Sequence, residues 1–548
     1  MSLPFIACEL AYLYLATGLN DVSRDIALPV YSAAFDKAAG QKPSSPAKKA
    51  ESKSKKEQED SLGFLASREG KSVRVSINIV AGSRFGDDIR QLPGGGSVSI
   101  SEKRLTTGRI FHTWWPLAAS WMLMALEGPA VSLVVARLAS PEINLAAYGG
   151  LVFPIALFVE APIIMLLAAS TALSSDWIIY RKIRRFMHVI SGILTAFHLL
   201  IVLTPVYTFV ARTLIGAPEE IIAPARIGLL IMLPWTWSIA YRRFNQGVLI
   251  RFGHSLAVGA GTMIRLSTNG SILLAGYLLK SIDGIVVATA ATAAGVISEA
   301  LYVAFRVRPV LHRQLPKTSE GNHLFTYTDF FRFYIPLSLT SVILLGSRPI
   351  LSAGISRMPD AIDSLAVLPV ITGLTFLLRS AGVAFNEVVI AHLDNPGATQ
   401  PLRRFAGGLM VATSGSLLLI AATPLAGVWF GTVTGLAPKL VELAQRALLL
   451  ATPLPALAVA QSWNQGIILQ SKRTRSITEA VLIYLVASIC ILWTGVWTGR
   501  FTGVYVGILS MTAGEGVRTL WLWLRSKKAR YALYERDQRG AMYSLTNR

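Results

Sequence analysis

From Phe111 onward the chain alternates long apolar runs with short polar breaks. The runs fall at roughly 112–138, 144–173, 186–211, 222–248, 253–279, 283–306, 328–356, 363–391, 405–431, 440–469, 475–498 and 501–524. Each comes near the ~20 apolar residues that an α-helix needs to cross a bilayer. The pattern predicts an all-α polytopic membrane protein with twelve transmembrane helices.

The runs repeat. Pro116 and Pro336 lie 220 residues apart, and so do Pro129 and Pro349. Asn245-Gln246-Gly247 returns as Asn464-Gln465-Gly466, Arg184-Arg185-Phe186 as Arg403-Arg404-Phe405, and Thr204-Pro205 as Thr423-Pro424, each 219 residues later. Landmarks in one order at one spacing mark a duplicated six-helix unit. Because six is even, the two copies share an orientation and relate by a pseudo-two-fold along the membrane normal, which excludes an inverted repeat. The expected organisation is a cytoplasmic extension at 1–105, a first lobe at 106–318, a second lobe at 319–528 and a tail at 529–548.

Composition agrees with a membrane setting. Of 548 residues, 53% are hydrophobic and 15% charged, too apolar for a soluble globule. The net charge of +21 points away from nucleic acid, because the cations gather in alternate short loops. One set holds Arg181 to Arg185, Arg242, Arg243 and Arg251, Arg306 to Lys317, Arg403 and Arg404, and Lys472 to Arg475, with more in the tail. The other set holds about one cation each: Arg137, Arg212, Lys280, Arg357, Lys439 and Arg500. The asymmetry places both termini in the cytoplasm, and the plasma membrane is the expected location. Cys8 and Cys490 stand alone, so neither a disulfide framework nor a thiolate metal site is expected. Catalytic signatures such as His-Glu-x-x-His, Gly-x-Ser-x-Gly or a phosphate loop are missing from the sequence, and neither an enzyme nor a cofactor is expected. Within 1–105, Pro4–Leu19 is apolar but short, Gln41–Asp60 reads as a solvated, disordered tract, and Val73–Ile79 alternates like a strand.

Charges inside the spans carry the candidate chemistry. A guanidinium near mid-span, as at Arg348, costs roughly 3 kcal/mol to insert and normally faces a bundle interior or a wet cleft. Arg379 and Arg518 extend the set in the second lobe. With the repeat as a ruler, Glu127 falls beside the counterpart of Arg348, Glu160 beside that of Arg379, and Glu299 on that of Arg518. The first lobe thus places acids where the second places bases. In one mechanism the three arginines bind an anion through their forked donors, and Glu127 and Glu160 pair with them when the cleft is empty and closed, until substrate displaces them. In another, Glu127 or Glu160 carries a coupling proton. In a third, all are static salt bridges. Asn386 and Glu387, two helical turns beyond Arg379, form a further polar position or a helix-end anchor. Asn245, Gly247, Asn464 and Gly466 read as caps that stop spans four and ten, with glycine in the left-handed conformation. Pro116, Pro336 and Pro349 read as kinks, hinges or static bends.

Trp115-Pro116-Leu117 with Glu127 in span one, Leu145-Ala-Ala-Tyr148-Gly149 opening span two, Pro336-Leu with Ser347-Arg348-Pro349-Ile350 in span seven, and Ala513-Gly514-Glu515 in span twelve carry a resemblance. Over residues 110–528 the chain resembles the multidrug/oligosaccharidyl-lipid/polysaccharide exporter superfamily, which includes the MATE transporters, and within it the progressive-ankylosis family. The resemblance implies a MATE-like two-lobe fold and export of pyrophosphate, nucleotide or citrate-like anions. It adds Glu515 to the charge-pairing set. An aspartate within span one, part of the drug-efflux pattern, is missing here. The resulting expectation is a monomeric secondary transporter exporting a small polyanion by alternating access, with protons or another ion as coupling partner. A flippase for lipid-linked saccharide, a MATE-type efflux pump and a non-transporting scaffold are the alternatives.

Overall fold

A computed structural model of the chain describes residues 105–317, 326–395, 397–471 and 475–546. The expectations for residues 1–104, the loop cations Lys472 and Arg473, and the lobe junction near 318 lie outside the described residues.

A helix occupies each of the twelve segments, followed by one in the tail. They are α1 (Thr107–Val135), α2 (Pro141–Glu160, continued by Leu166–Leu173), α3 (Trp177–Leu203), α4 (Glu219–Ile231 with Leu233–Arg251) and α5 (Ser255–Leu279). Next come α6 (Gly284–Arg313), α7 (Tyr327–Ser356), α8 (Ala361–His392), α9 (Thr399–Ala422) and α10 (Pro438–Gln470). The last are α11 (Arg475–Thr498), α12 (Gly503–Arg525) and α13 (Lys527–Thr546). Among the described residues nine helices are long and apolar enough to cross a membrane, or ten if the α4 pair, bent by 43°, counts as one. These helices indicate an integral membrane protein. The two that fall short, α5 and α12, place Arg265 with Asn269 and Glu515 with Arg518 in mid-helix.

Local chemistry sets the ends and breaks. The Asp176 carboxylate accepts the N–H groups of Ile178 and Ile179 and starts α3. A reciprocal capping box between Thr326 and Asp329 starts α7. Proline interrupts where it removes a donor and collides with the carbonyl four residues back. α1 breaks at Leu126, ahead of Pro129, and α2 breaks after Glu160, around Pro162. Pro116, Pro336 and Pro349 lie within helical segments that continue through them.

The halves share one continuous apolar core, running from Val131 to Met511. Across it α8 packs along α1 and α2, and α7 packs along α2. Contact is closest where a wide π turn at Ala147–Val152 brings Gly149 against Pro369. A Cβ on Gly149 would lie 2.6 Å from the Pro369 ring. The two residues are 220 apart, so each touches its own counterpart in the repeat.

At the end away from the tail, two arginines bridge the lobes reciprocally. After α3 and α9 the chain turns at Thr204-Pro205 and Thr423-Pro424 into short segments ending in wide π turns, Phe209–Ile215 and Val428–Val433. Each terminus leaves carbonyls without helical donors. Arg137, just past α1, donates to the carbonyls of Thr432, Val433 and Thr434 at 2.7 Å each. Arg357, just past α7, donates to those of Thr213, Leu214 and Ile215 at 2.7, 2.8 and 2.6 Å. Gly216 and Gly435, with φ of 71° and 83°, clear the space for each guanidinium. These contacts are partly exposed, so each clasp contributes about 1 kcal/mol rather than the full strength of charged hydrogen bonds. Arg137→Ala or Arg357→Ala alone should raise the population open at this end about fivefold, and the pair about 25-fold. Distance distributions between spin labels at Ala139 and Thr432 measure this; unchanged distributions would assign the clasps to packing alone.

At the opposite end α13 folds back on α9, α10 and α12. Arg536 donates to the carbonyls of Leu393, Asp394 and Asn395, and Tyr534 accepts from Arg403. Burial pushes the Asp537 carboxyl up, but hydrogen bonds from Thr399 and Arg536 hold it below the usual carboxylate range.

Candidate functional site

Two buried polar clusters occupy related places, one in each lobe. In the first, Glu299 on α6 lies between helices. Arg242 of α4 donates to its Oε2 at 2.8 Å and Gln246 to its Oε1 at 2.9 Å. Arg265 of α5 links this carboxylate to the break in α1, with Nε 3.7 Å from Glu299 Oε2 and Nη2 3.3 Å from Glu127 Oε2. Asn269 donates to the other Glu127 oxygen at 3.3 Å. Gly261 leaves the room: a Cβ there would lie 3.2 Å from Glu299 Cγ. Glu160 is buried at the end of the first segment of α2, within electrostatic range of Arg242 and Arg243, and its Oε2 accepts no hydrogen bond. Three carboxylates therefore face three guanidiniums.

The second cluster has the opposite balance. Glu515 of α12 accepts from Arg379 of α8 at 2.9 Å, from Arg518 one turn along at 3.2 Å, and from Gln461 of α10 at 2.9 Å. Gln461 is the repeat counterpart of Arg242, so the same α4/α6 and α10/α12 seams are polar in both lobes. Arg348 of α7 completes the set. Its side chain is exposed, with Tyr484, Arg379 and Glu515 in electrostatic range. Among the described residues no carboxylate comes within ion-pair distance of Arg348. Three guanidiniums thus lie around Glu515.

Several expectations need correcting. In this structure Glu127 and Glu160 do not pair with Arg348 or Arg379 across the lobes; the charge pairs close within each lobe, because α4, α5 and α6 bring their own arginines to the acids. Asn386 and Glu387 are buried, and their neighbours Phe385 and Val388 belong to an apolar cluster with Trp114 and Val459. The cap reading of the Asn-Gln-Gly motifs fails. α4 continues to Arg251 and α10 to Gln470, and neither Gly247 nor Gly466 has positive φ. Both glycines serve close packing. A Cβ on Gly247 would lie 2.3 Å from the Leu167 carbonyl oxygen, and one on Gly466 2.4 Å from Val389 Cγ1. Asn245 and Asn464 donate to the carbonyls of Tyr241 and Ala460 one turn back. Gly247→Ala should therefore destabilise by about 1–3 kcal/mol, since the contact is rigid backbone; an unshifted melting temperature in detergent would refute the packing role.

Sequence reading misses Arg242, Gln246, Asn269 and Gln461, and it leaves Arg265, near the middle of span five, open. Arg242 reads as a loop cation because it abuts Arg243 and lies near a run's end. The conserved offset between Arg242 and Gln461 was a usable signal. Among the described residues no group of three or more His, Cys, Asp or Glu side chains is placed to hold a metal ion.

Solved structures share this architecture. An inward-facing MATE-family multidrug transporter of the MOP superfamily matches over 78% of this chain and 99% of its own, at 15% identity and a TM-score of 0.54. The lipid II flippase MurJ, in an inward closed conformation, matches over 75% and 87%, at 16% identity and a TM-score of 0.61. The fold is MATE-like. At this identity the likeness establishes the fold alone. No family model matches the chain, and no curated protein does either.

Proposed function

We propose that this chain is a secondary transporter that exports a small polyanion by alternating access, as its resemblance to the progressive-ankylosis family implies. α5 and α12 complete twelve spans, and a pseudo-two-fold along the membrane normal relates the lobes. The Gly149–Pro369 contact between repeat counterparts and the reciprocal clasps of Arg137 and Arg357 support that axis. Both termini face the cytoplasm of the plasma membrane, the chain acts as a monomer, and a proton or another ion couples the cycle.

One observation carries the anion reading: Arg348 is exposed with no ion-pair partner among the described residues, beside two further guanidiniums that both contact Glu515. A cluster with surplus positive charge attracts an anionic ligand, and the planar fork suits phosphate or carboxylate oxygens. The first-lobe cluster is balanced and has no such surplus. Purified protein in liposomes loaded with radiolabelled pyrophosphate, ATP or citrate tests the reading. Efflux of at least one above protein-free liposomes is expected; transport of none, with efflux of an organic cation instead, overturns it. The match to the MurJ flippase supports a second reading, in which the anion is the head of a lipid-linked saccharide; scrambling of such a lipid with no soluble anion moved would favour it.

A further inference from the structure

Outside both clusters, one end of α3 carries a basic groove that the transport reading does not use. Trp177, Arg181, Arg184, Arg185, His188 and Val189 line an open space of about 600 Å³. Arg184 bonds the Tyr180 hydroxyl, and among the described residues no carboxylate lies within ion-pair distance of the three arginines. Helical spacing of three or four residues puts these side chains on one face. The same face changes character along the helix. Arg181 and Arg185 are followed at that spacing by Val189, Ile193, Phe197 and Leu200, which are 53%, 57%, 45% and 52% exposed. His188 stacks near Trp237 and Tyr241, which belong to α4.

We infer that this stripe binds one anionic phospholipid, its phosphate on the arginines and an acyl chain along the apolar positions. The change from basic to apolar along one line is what distinguishes a lipid from a free anion, which needs no greasy track. The groove opens at the end of the bundle where the cationic loops gather, where an anionic headgroup meets the protein.

The second lobe supplies an internal comparison. Arg403 and Arg404 are the repeat counterparts of Arg184 and Arg185, but there the chain's own α13 covers the position, with Tyr534 accepting from Arg403 and Asp537 from the Thr399 N–H. The counterparts of Arg181, His188 and Val189 are Gln400, Gly407 and Gly408, so neither the extra cation nor the apolar track recurs. Among the described residues no segment of the chain folds over the first-lobe arginines in this way.

The test is native mass spectrometry of the full-length protein in micelles doped with phosphatidylglycerol or phosphatidylcholine. Wild type should retain one phosphatidylglycerol that the Arg181→Gln/Arg184→Gln/Arg185→Gln variant loses, with affinity about fivefold weaker per arginine and about a hundredfold in all. The single variants Arg181→Gln and Arg185→Gln carry the test if the triple variant folds poorly. In parallel, phosphatidylglycerol should raise the melting temperature of wild type while glycerol phosphate at equal concentration does not. Equal phosphatidylglycerol retention by wild type and the triple variant, or equal stabilisation by glycerol phosphate, overturns the lipid site.

Discussion

Arg348→Gln is expected to lower polyanion efflux at least tenfold while leaving expression and melting temperature unchanged. The two halves of this expectation have separate causes. A charge-assisted hydrogen-bonding group contributes about 1.5–3 kcal/mol to a bound anion, which converts to roughly 10- to 150-fold in affinity. Stability is spared because Arg348 has no ion-pair partner among the described residues to leave behind. Arg379→Gln makes the contrast, since it strips Glu515 of one of its donors and should lower both transport and stability. Arg348→Lys keeps the charge but loses the fork, and should fall between wild type and Gln. Efflux by Arg348→Gln at the wild-type rate would remove Arg348 from the site.

Glu299→Ala is expected to destabilise the protein by about 3 kcal/mol. The carboxylate is fully buried and bonded to Arg242 and Gln246. Removing one partner of a buried pair leaves the other charge stranded, which costs about 3–5 kcal/mol. Within a membrane the unfolded helices find other partners, and interhelical hydrogen bonds there contribute less than in water-soluble cores, so the lower end applies. Reversible unfolding in mixed detergent measures the difference. Glu299→Gln should recover part of it through Gln246. A loss under about 1 kcal/mol would mean that water or a mobile side chain already satisfies Arg242.

The hydrophobic pattern located a helix in each of the twelve segments, and the repeated offsets located positions with matching local structure. Thr204-Pro205 and Thr423-Pro424 lead into matching π turns, and the sparse cations Arg137 and Arg357 became matching clasps. Helix ends were less legible. α3 begins at Trp177 rather than near 186, and α9 stops at Ala422 rather than 431, because arginines extend helices beyond the apolar run and Thr-Pro pairs end them inside it.

The sequence by itself determined the apolar lengths, the duplication and which charges had to be hidden from lipid, since these follow from one-dimensional spacing and the cost of burying charge. Only the tertiary structure decided who pairs with whom. An aligned acid and base in two lobes share a position in the repeat, not a place in space. Proximity depended on how α4, α5 and α6 cross within a lobe, which brought Arg242 and Arg265 to Glu299. The same is true of Gly247 and Gly466: their spacing marked the repeat, but only the neighbouring backbone at Leu167 and the side chain of Val389 showed that they make room for a helix rather than end one.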